Sequence, residues 1–464
     1  MRSNPPRGDV KRTVGAPSRR GDHPRVRAIV IGLLLPLLTA PAAEAFWTQP
    51  RSLPDSTGVS ALPRAAMGLN GTVAVAFIRQ GVRVAVRRDG GQIAPTTLVS
   101  SERRAVSSPD VAISGRGDII AVWVQARSSR LPLQAPYRVR AISYVPGHGW
   151  GRPKTLGETP YFETAVPRIV ANARGDAAIA WRCAHETSLG ATSDTVCVTS
   201  RRAGHNFGAV TELRQPRGTT TVEHQQVAVG PKGSVHVAWT SLPGPVVRYA
   251  YLGASHRWTR ARTLSSIPAS RPRMAAASDG ALVVAWHVAP ATRDGSDVVY
   301  GPLAATVRSP AGRFSPARTI SEVPIFEPEV AAAPRGEVLL AWTTPRGVEP
   351  SLPGWDAVHW ATRPAGTSVI SAQAMSDTFT DGTSSFAPTG RLGFLDNGRA
   401  LLAIGGPGGV RVISRPVGGD FVSATLIAPA GDLPQLVTRR GHAAVVFATE
   451  SRSGESRLRI SVRG

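Results

Sequence analysis

Lysine is almost missing from this 464-residue chain: it stands only at positions 11, 154 and 232, although the formal net charge is +23. The positive charge is therefore arginine's, and no basic run or groove-reading motif goes with it, which argues against a nucleic-acid partner. Cysteine is confined to Cys183 and Cys197, with no histidine or cysteine spacing around them that fits a zinc site. There is no His-Glu-x-x-His pair, no Gly-x-Ser-x-Gly elbow and no phosphate loop, so the zincin, serine-hydrolase and nucleotide-hydrolase readings lose their motifs and no cofactor is expected. Beyond residue 45 no apolar run is long enough for a membrane helix, so no span is expected in the mature chain.

What is present begins with a leader. Arg19, Arg20, Arg25 and Arg27 precede the apolar run Ala28–Ala40, and Ala43-Glu44-Ala45 fits a small-x-small cleavage site. The expectation is a signal peptide over 1–45 and a mature chain starting at Phe46, secreted or otherwise extracytoplasmic. Arg19-Arg20 leaves the twin-arginine and general export routes both open. The leader holds eight basic and three acidic residues, which leaves the mature chain near +18. Such a charge attracts anionic partners at long range: acidic glycan, cell-envelope polymer or lipid headgroups. An arginine- and alanine-rich, lysine-poor composition is equally the mark of GC-rich coding. In an exported chain Cys183 and Cys197 are expected to form a disulfide, worth about 3 kcal/mol for a loop of this size.

The body of the chain repeats one phrase. Pro109–Trp123, PDVAISGRGDIIAVW, reads as an apolar strand, a glycine turn and a second strand ending in tryptophan. The same turn recurs around Gly71, Gly175, Gly233, Gly280, Gly336, Gly398 and Gly441. Six residues after each glycine stand Phe77, Trp123, Trp181, Trp239, Trp286, Trp342, Ile404 and Phe447, most simply packing wedges. A third apolar run follows each hairpin. A fourth element opens on an aromatic, as in Trp150–Leu156, Phe207–Leu213, Trp258–Leu264, Phe314–Ile320 and Phe421–Ile427. Four short strands at this period are propeller blades.

The ends of the chain bear on closure. The last unit stops after its third strand, from Arg457, while Trp47–Leu53, WTQPRSL, is a fourth-strand phrase without a unit. Joined, they complete one blade and remove two open sheet edges. The expected fold is all-β, a single propeller over 46–464 of eight four-stranded blades, with seven as the fallback if unit seven or eight is degenerate. On this repeat pattern the chain resembles secreted bacterial β-propeller repeat proteins. Neither the aspartate-box turn of sialidase-type propellers nor the Gly-His and Trp-Asp signatures of the WD-repeat family occurs, so the resemblance implies a fold and carries over no activity.

Candidate function sits in two places. The longer, varied loops, 127–137, 157–166, 184–195, 289–297, 344–357 and 376–388, are expected on one face, where binding residues tend to lie. Ahead of each turn glycine, just before the leading aliphatic of the first strand, stand Arg64, Asp110, Arg168, Gln226, Arg273, Glu329, Arg391 and, shifted by one, Gln435. Around a ring this reads Arg, acid, Arg, Gln, twice over. Guanidinium forks at the channel mouth would grip carboxylate or phosphate; alternatively Asp110 and Glu329 neutralise their neighbours and fill the channel. Catalytic candidates are thin: His185, Glu186 and Asp194; Arg293, Asp294 and Asp297; Glu349 and Asp356. Asp377 and Asp381 offer too few ligands for a calcium site. The expected function is a monomeric, exported binding or interaction module for an anionic glycan or envelope polymer, or for another protein. The alternative is a glycan-active hydrolase or lyase on the same scaffold.

Overall fold

The computed structural model describes residues 46–463 apart from 60–62, 89–90, 92, 129–135, 187–191, 214–220, 254–255, 289–300, 326–327, 347–353, 374–389, 407 and 451–453. Within them the chain forms eight antiparallel sheets of four strands, seven in sequential order and one with Arg51–Thr57 outside the last three strands of the chain; in one sheet the short Gly149–Trp150 adds a fifth. The first strands of blades 1 to 8 are Arg64–Met67, Val106–Ile113, Arg168–Ala171, Thr221–Val229, Ala269–Ala276, Glu329–Ala332, Gly390–Phe394 and Asp432–Arg439. Each touches the first strand of the next blade, and the last touches the first, so these strands line the centre of a closed ring. The fold is an eight-bladed β-propeller.

Closure follows the split blade. Arg51–Thr57 pairs antiparallel with Ser456–Arg463, with Arg51 opposite Ile460 and Ser52 opposite Arg459. Thr48 N–H donates to the Val462 carbonyl at 2.8 Å, and the Ser461 hydroxyl donates to the Thr48 carbonyl at 2.6 Å. Trp47 bridges Arg463 just as Trp258 bridges Leu252, Phe314 bridges Arg308 and Ile93 bridges Arg87. The aromatic of the fourth-strand phrase thus anchors an isolated bridge, and the strand proper starts a few residues later. Sequence spacing alone places that start too early.

The wedges pack across seams. Trp123 sits with Val82, Val84 and Ala76 of blade 1, Trp239 with Val196 and Val198 of blade 3, and Phe447 with Val410 and Val412 of blade 7. Every wedge thus faces the blade before it, and Phe77 faces the split blade beside Leu458 and Ile460. Blade 7 offers only Ile404, and that seam is filled from the other side by Trp360 of blade 6, fully buried. The Cys183–Cys197 disulfide forms between the second and third strands of blade 3, with Cα atoms 5.8 Å apart. Among the described residues no helix is long and apolar enough to cross a membrane.

Candidate functional site

The repeated polar position falls at one register all round the ring. Arg64, Asp110, Arg168, Gln226, Arg273, Glu329, Arg391 and Gln435 lie opposite Ala76, Val122, Ala180, Ala238, Ala285, Ala341, Ala403 and Val446. Each of those partners immediately precedes its blade's wedge residue. The one-residue shift at Gln435 reflects a tighter hairpin: Arg439 pairs with His442 across Arg440-Gly441 alone, whereas in blade 3 Ala171 pairs with Ala177 across five residues.

The structure refines where this level sits. In blades 1, 3 and 6 the ring residue opens its strand, and in blade 7 it comes second, as the spacing suggests. In blades 2, 4, 5 and 8 the strand starts earlier and the ladder shifts register just ahead of the ring residue. Ser108, Val166, His224 and Arg271, each two positions before a ring residue, have φ of 48°, 37°, 52° and 52°. Left-handed backbone at a β-branched valine, as at Val166, is strained, at about 1–3 kcal/mol per residue. Bulges of this kind re-aim the side chain that follows. None of the four is glycine, so the sequence carries no turn marker for them.

The charged members of the ring, Arg64, Asp110, Arg168, Arg273, Glu329 and Arg391, stand near enough to feel one another. The Arg168 guanidinium is pushed down to about 9, first by burial, then by Arg64, with Arg273 and Arg391 adding to the effect and Asp110 opposing it. Arg391 lies four blades from Arg168, so the two sense each other across the channel. Arg64 is lowered likewise, by burial first and partly offset by Asp110. Both stay charged at neutral pH, in a crowd of like charge that an anion would relieve.

The two acids are engaged differently. Asp110 Oδ1 accepts from Val111 N–H and its Oδ2 from Ile169 N–H, both at 3.0 Å. The carboxylate thus ties blade 2 to the backbone of blade 3 and leaves the flanking guanidinium groups alone. Among the described residues the guanidinium groups of Arg64 and Arg168 make no hydrogen bond or ion pair. Glu329, one methylene longer, accepts from Arg391 Nη1 at 2.9 Å across the seam between blades 6 and 7. Arg273 has interactions of its own, and Gln435 Nε2 donates to the Pro434 carbonyl at 3.3 Å.

Of the catalytic candidates, Asp194 has its side chain among the described residues, and it is buried in a structural role. Asp194 is 2% exposed; it accepts from Arg182 Nη2 at 2.6 Å, from the Tyr161 hydroxyl and from Val222 N–H of blade 4. Burial and Asp194 both raise the Tyr161 hydroxyl. A histidine–tyrosine pair exists in blade 4, where His236 Nδ1 lies 2.7 Å from the Tyr249 hydroxyl and Nε2 lies 2.9 Å from the Ser234 hydroxyl. Both rings are sealed at 2% and 1% exposure. Burial, then the nearby Arg308 charge, pushes His236 down to about 3, and burial pushes Tyr249 up. A tyrosine held neutral in a closed core cannot take a proton from a substrate. The side chains of His185, Glu186 and Asp356, and residues 293, 294, 297, 349, 377 and 381, lie outside the described residues, as do large parts of the long loops. Among the described residues no group of three or more His, Cys, Asp or Glu is placed to hold a metal.

No protein-family model and no curated protein matches the chain. Solved propellers resemble it at low identity. The polysaccharide lyase Uly1 is 10% identical with a TM-score of 0.46, covering 89% of this chain and 90% of its own. An ulvan lyase of family PL25, bound to -[GlcA(1-4)Rha3S]-, is 10% identical with a TM-score of 0.47, covering 75% and 90%. An α-L-arabinanase of Penicillium chrysogenum with arabinobiose is 12% identical with a TM-score of 0.40, covering 78% and 93%. Likenesses at this identity and TM-score carry no argument about chemistry, and the site rests on its own geometry.

Proposed function

We propose that the protein is an exported propeller that binds an anionic glycan or envelope polymer at the mouth of its channel, with Arg64 and Arg168 as the gripping groups. The observation that carries this is the pair itself: two half-buried guanidinium groups, crowded by like charge, with no hydrogen-bond or ion-pair partner among the described residues. Carboxylate, sulfate or phosphodiester groups offer the fork geometry that arginine recognises. Asp110 acts as a positioning residue, held to the backbone so that it does not quench them. Binding rather than catalysis is favoured because Asp194 and the His236–Tyr249 pair, the residue types a hydrolase or lyase uses, are engaged inside the fold. Residues 1–45 serve as the removable leader. Phe46 is 79% exposed, so cleavage ahead of it leaves the closing strand undisturbed.

The test is a calorimetric titration of the secreted chain with a polyuronate, a sulfated polysaccharide, a phosphodiester polymer and neutral dextran. At least one acidic polymer binds and dextran does not. The double variant Arg64→Gln/Arg168→Gln loses about 100-fold in affinity, as expected for two charge-assisted hydrogen bonds, with its circular dichroism unchanged. Unchanged affinity in that variant, or dextran binding as well as the acids, overturns the reading. Release of reducing ends or of an ultraviolet-absorbing unsaturated product in the same mixtures would instead establish the hydrolase or lyase.

A further inference from the structure

A second set of arginines is repeated around the molecule, outside the channel. Opposite the residue two positions after the turn glycine, the third strand presents Arg87, Arg201, Arg308, Arg363, Arg415 and Arg463 in blades 1, 3, 5, 6, 7 and 8. In three of these the guanidinium meets an acid from the hairpin turn of the preceding blade. Arg201 Nη2 lies 2.9 Å from Asp118, Arg363 Nη1 2.7 Å from Asp279 and Arg415 Nη1 3.1 Å from Glu337. These ion pairs lock neighbouring blades on the short-turn face.

Arg87 holds the same position without an acid. The turn ahead of it, in blade 8, reads Arg439-Arg440-Gly441-His442. Its Nη1 is buried and has no hydrogen-bond partner. The side chain lines a cavity of about 160 Å³ with Thr48, Arg51, Gly91, Ile93, Ile460 and Val462. Among the described residues two arginines and no acidic residue line this space. At about 30 Å³ per water, it has room for a tetrahedral oxyanion with a few waters. The apolar wall of Ile93, Ile460 and Val462 lowers the local dielectric and strengthens any charged hydrogen bond made there. Thr48 and Arg51 belong to the N-terminal segment that completes the split blade, and Arg87, Gly91 and Ile93 belong to blade 1.

We propose that this cavity is an oxyanion site, in which a sulfate or phosphate group supplies the counter-charge that a turn carboxylate gives in the sister blades, and so clamps the closing strand to blade 1. The group is either a free ion or a substituent of an acidic polymer. This site is separate from the channel ring, and the two readings fail independently.

The experiment follows the full chain, as secreted, by isothermal calorimetry and thermal unfolding while sodium sulfate replaces sodium chloride at constant ionic strength. Phosphate is run in parallel. Sulfate or phosphate binds and raises the unfolding temperature. Arg87→Gln and Arg51→Gln each weaken that binding by about tenfold, whereas Arg64→Gln/Arg168→Gln leaves it intact. Arg51 is exposed, so its variant folds even if Arg87→Gln does not. In the ring double variant, displacement of bound sulfate by a sulfated polysaccharide assigns the group to a polymer; failure to displace assigns it to the free ion. An oxyanion affinity unchanged to within about twofold in both Arg51→Gln and Arg87→Gln overturns the proposal, as does its loss in the ring variant alone.

Discussion

The two halves of the channel ring carry the same order of residues and do different things with it. In blades 1 to 4 the order is Arg64, Asp110, Arg168, Gln226; in blades 5 to 8 it is Arg273, Glu329, Arg391, Gln435. The short aspartate bonds to backbone N–H groups of its own and the next blade and leaves its arginines unpaired. The longer glutamate crosses the seam and takes an arginine. One methylene thus separates a half whose carboxylate bonds to backbone from a half whose carboxylate pairs with an arginine. A quasi-symmetric scaffold thus uses its acid in two ways without any change in backbone plan.

The largest disturbance to this comparison is Trp360→Ala. Trp360 fills the seam that Ile404 leaves open, and Glu329 and Arg391 pair across that same seam. Its truncation costs about 3–5 kcal/mol in urea unfolding, while the protein that remains folded keeps its affinity for acidic polymer, because Arg64 and Arg168 lie elsewhere. A fall in affinity as large as that of the arginine double variant would show that the halves are not independent.

Next in size is the exchange of the acids. Asp110→Glu gives the first half the longer reach, lets the carboxylate pair with a neighbouring guanidinium, and lowers polymer affinity about tenfold. Glu329→Asp withdraws from Arg391 and raises affinity by a smaller factor. If both substitutions move affinity the same way, side-chain length is not what distinguishes the halves. Competitive binding against the wild type measures both.

The last effect concerns pH and sharpens the comparison at the seams. Blade 4 carries Ser234 where blades 2 and 6 carry the lock acids Asp118 and Glu337, and it fills that region with His236, Tyr249 and Tyr251, over whose ring Arg308 stacks at 4.3 Å. His236 is held near 3 in the folded chain, well below its unfolded value of about 6.5. Between those values the unfolded chain binds the extra proton, so stability falls as pH falls, by ~1 kcal/mol per pH unit. His236→Gln flattens the urea midpoint between pH 6 and 4 relative to the wild type; parallel curves for the two would refute the assignment.

Much of the architecture was legible because it is written in repetition. Turn glycines such as Gly117 and Gly175, with φ of 85° and 101°, occupy positions that demand left-handed backbone, and the wedge aromatics mark a fixed distance from them. Closure was legible because WTQPRSL matches the fourth-strand phrase. The ring was legible as a register position but not as chemistry. The strained residues ahead of it, Ser108, Val166, His224 and Arg271, bear no local signature. The replacement of a wedge by Trp360 from the facing blade was invisible too, since its partner seam is not adjacent in sequence.

The sequence by itself determined the number of blades, the split of the last one, the disulfide and the level of the polar ring, because each follows from periodicity and from steric rules that act within a few residues. Tertiary structure alone decided which of the described arginines meet a carboxylate and which do not. That outcome depends on distances of an ångström or two between side chains of neighbouring blades, and no spacing along the chain encodes them.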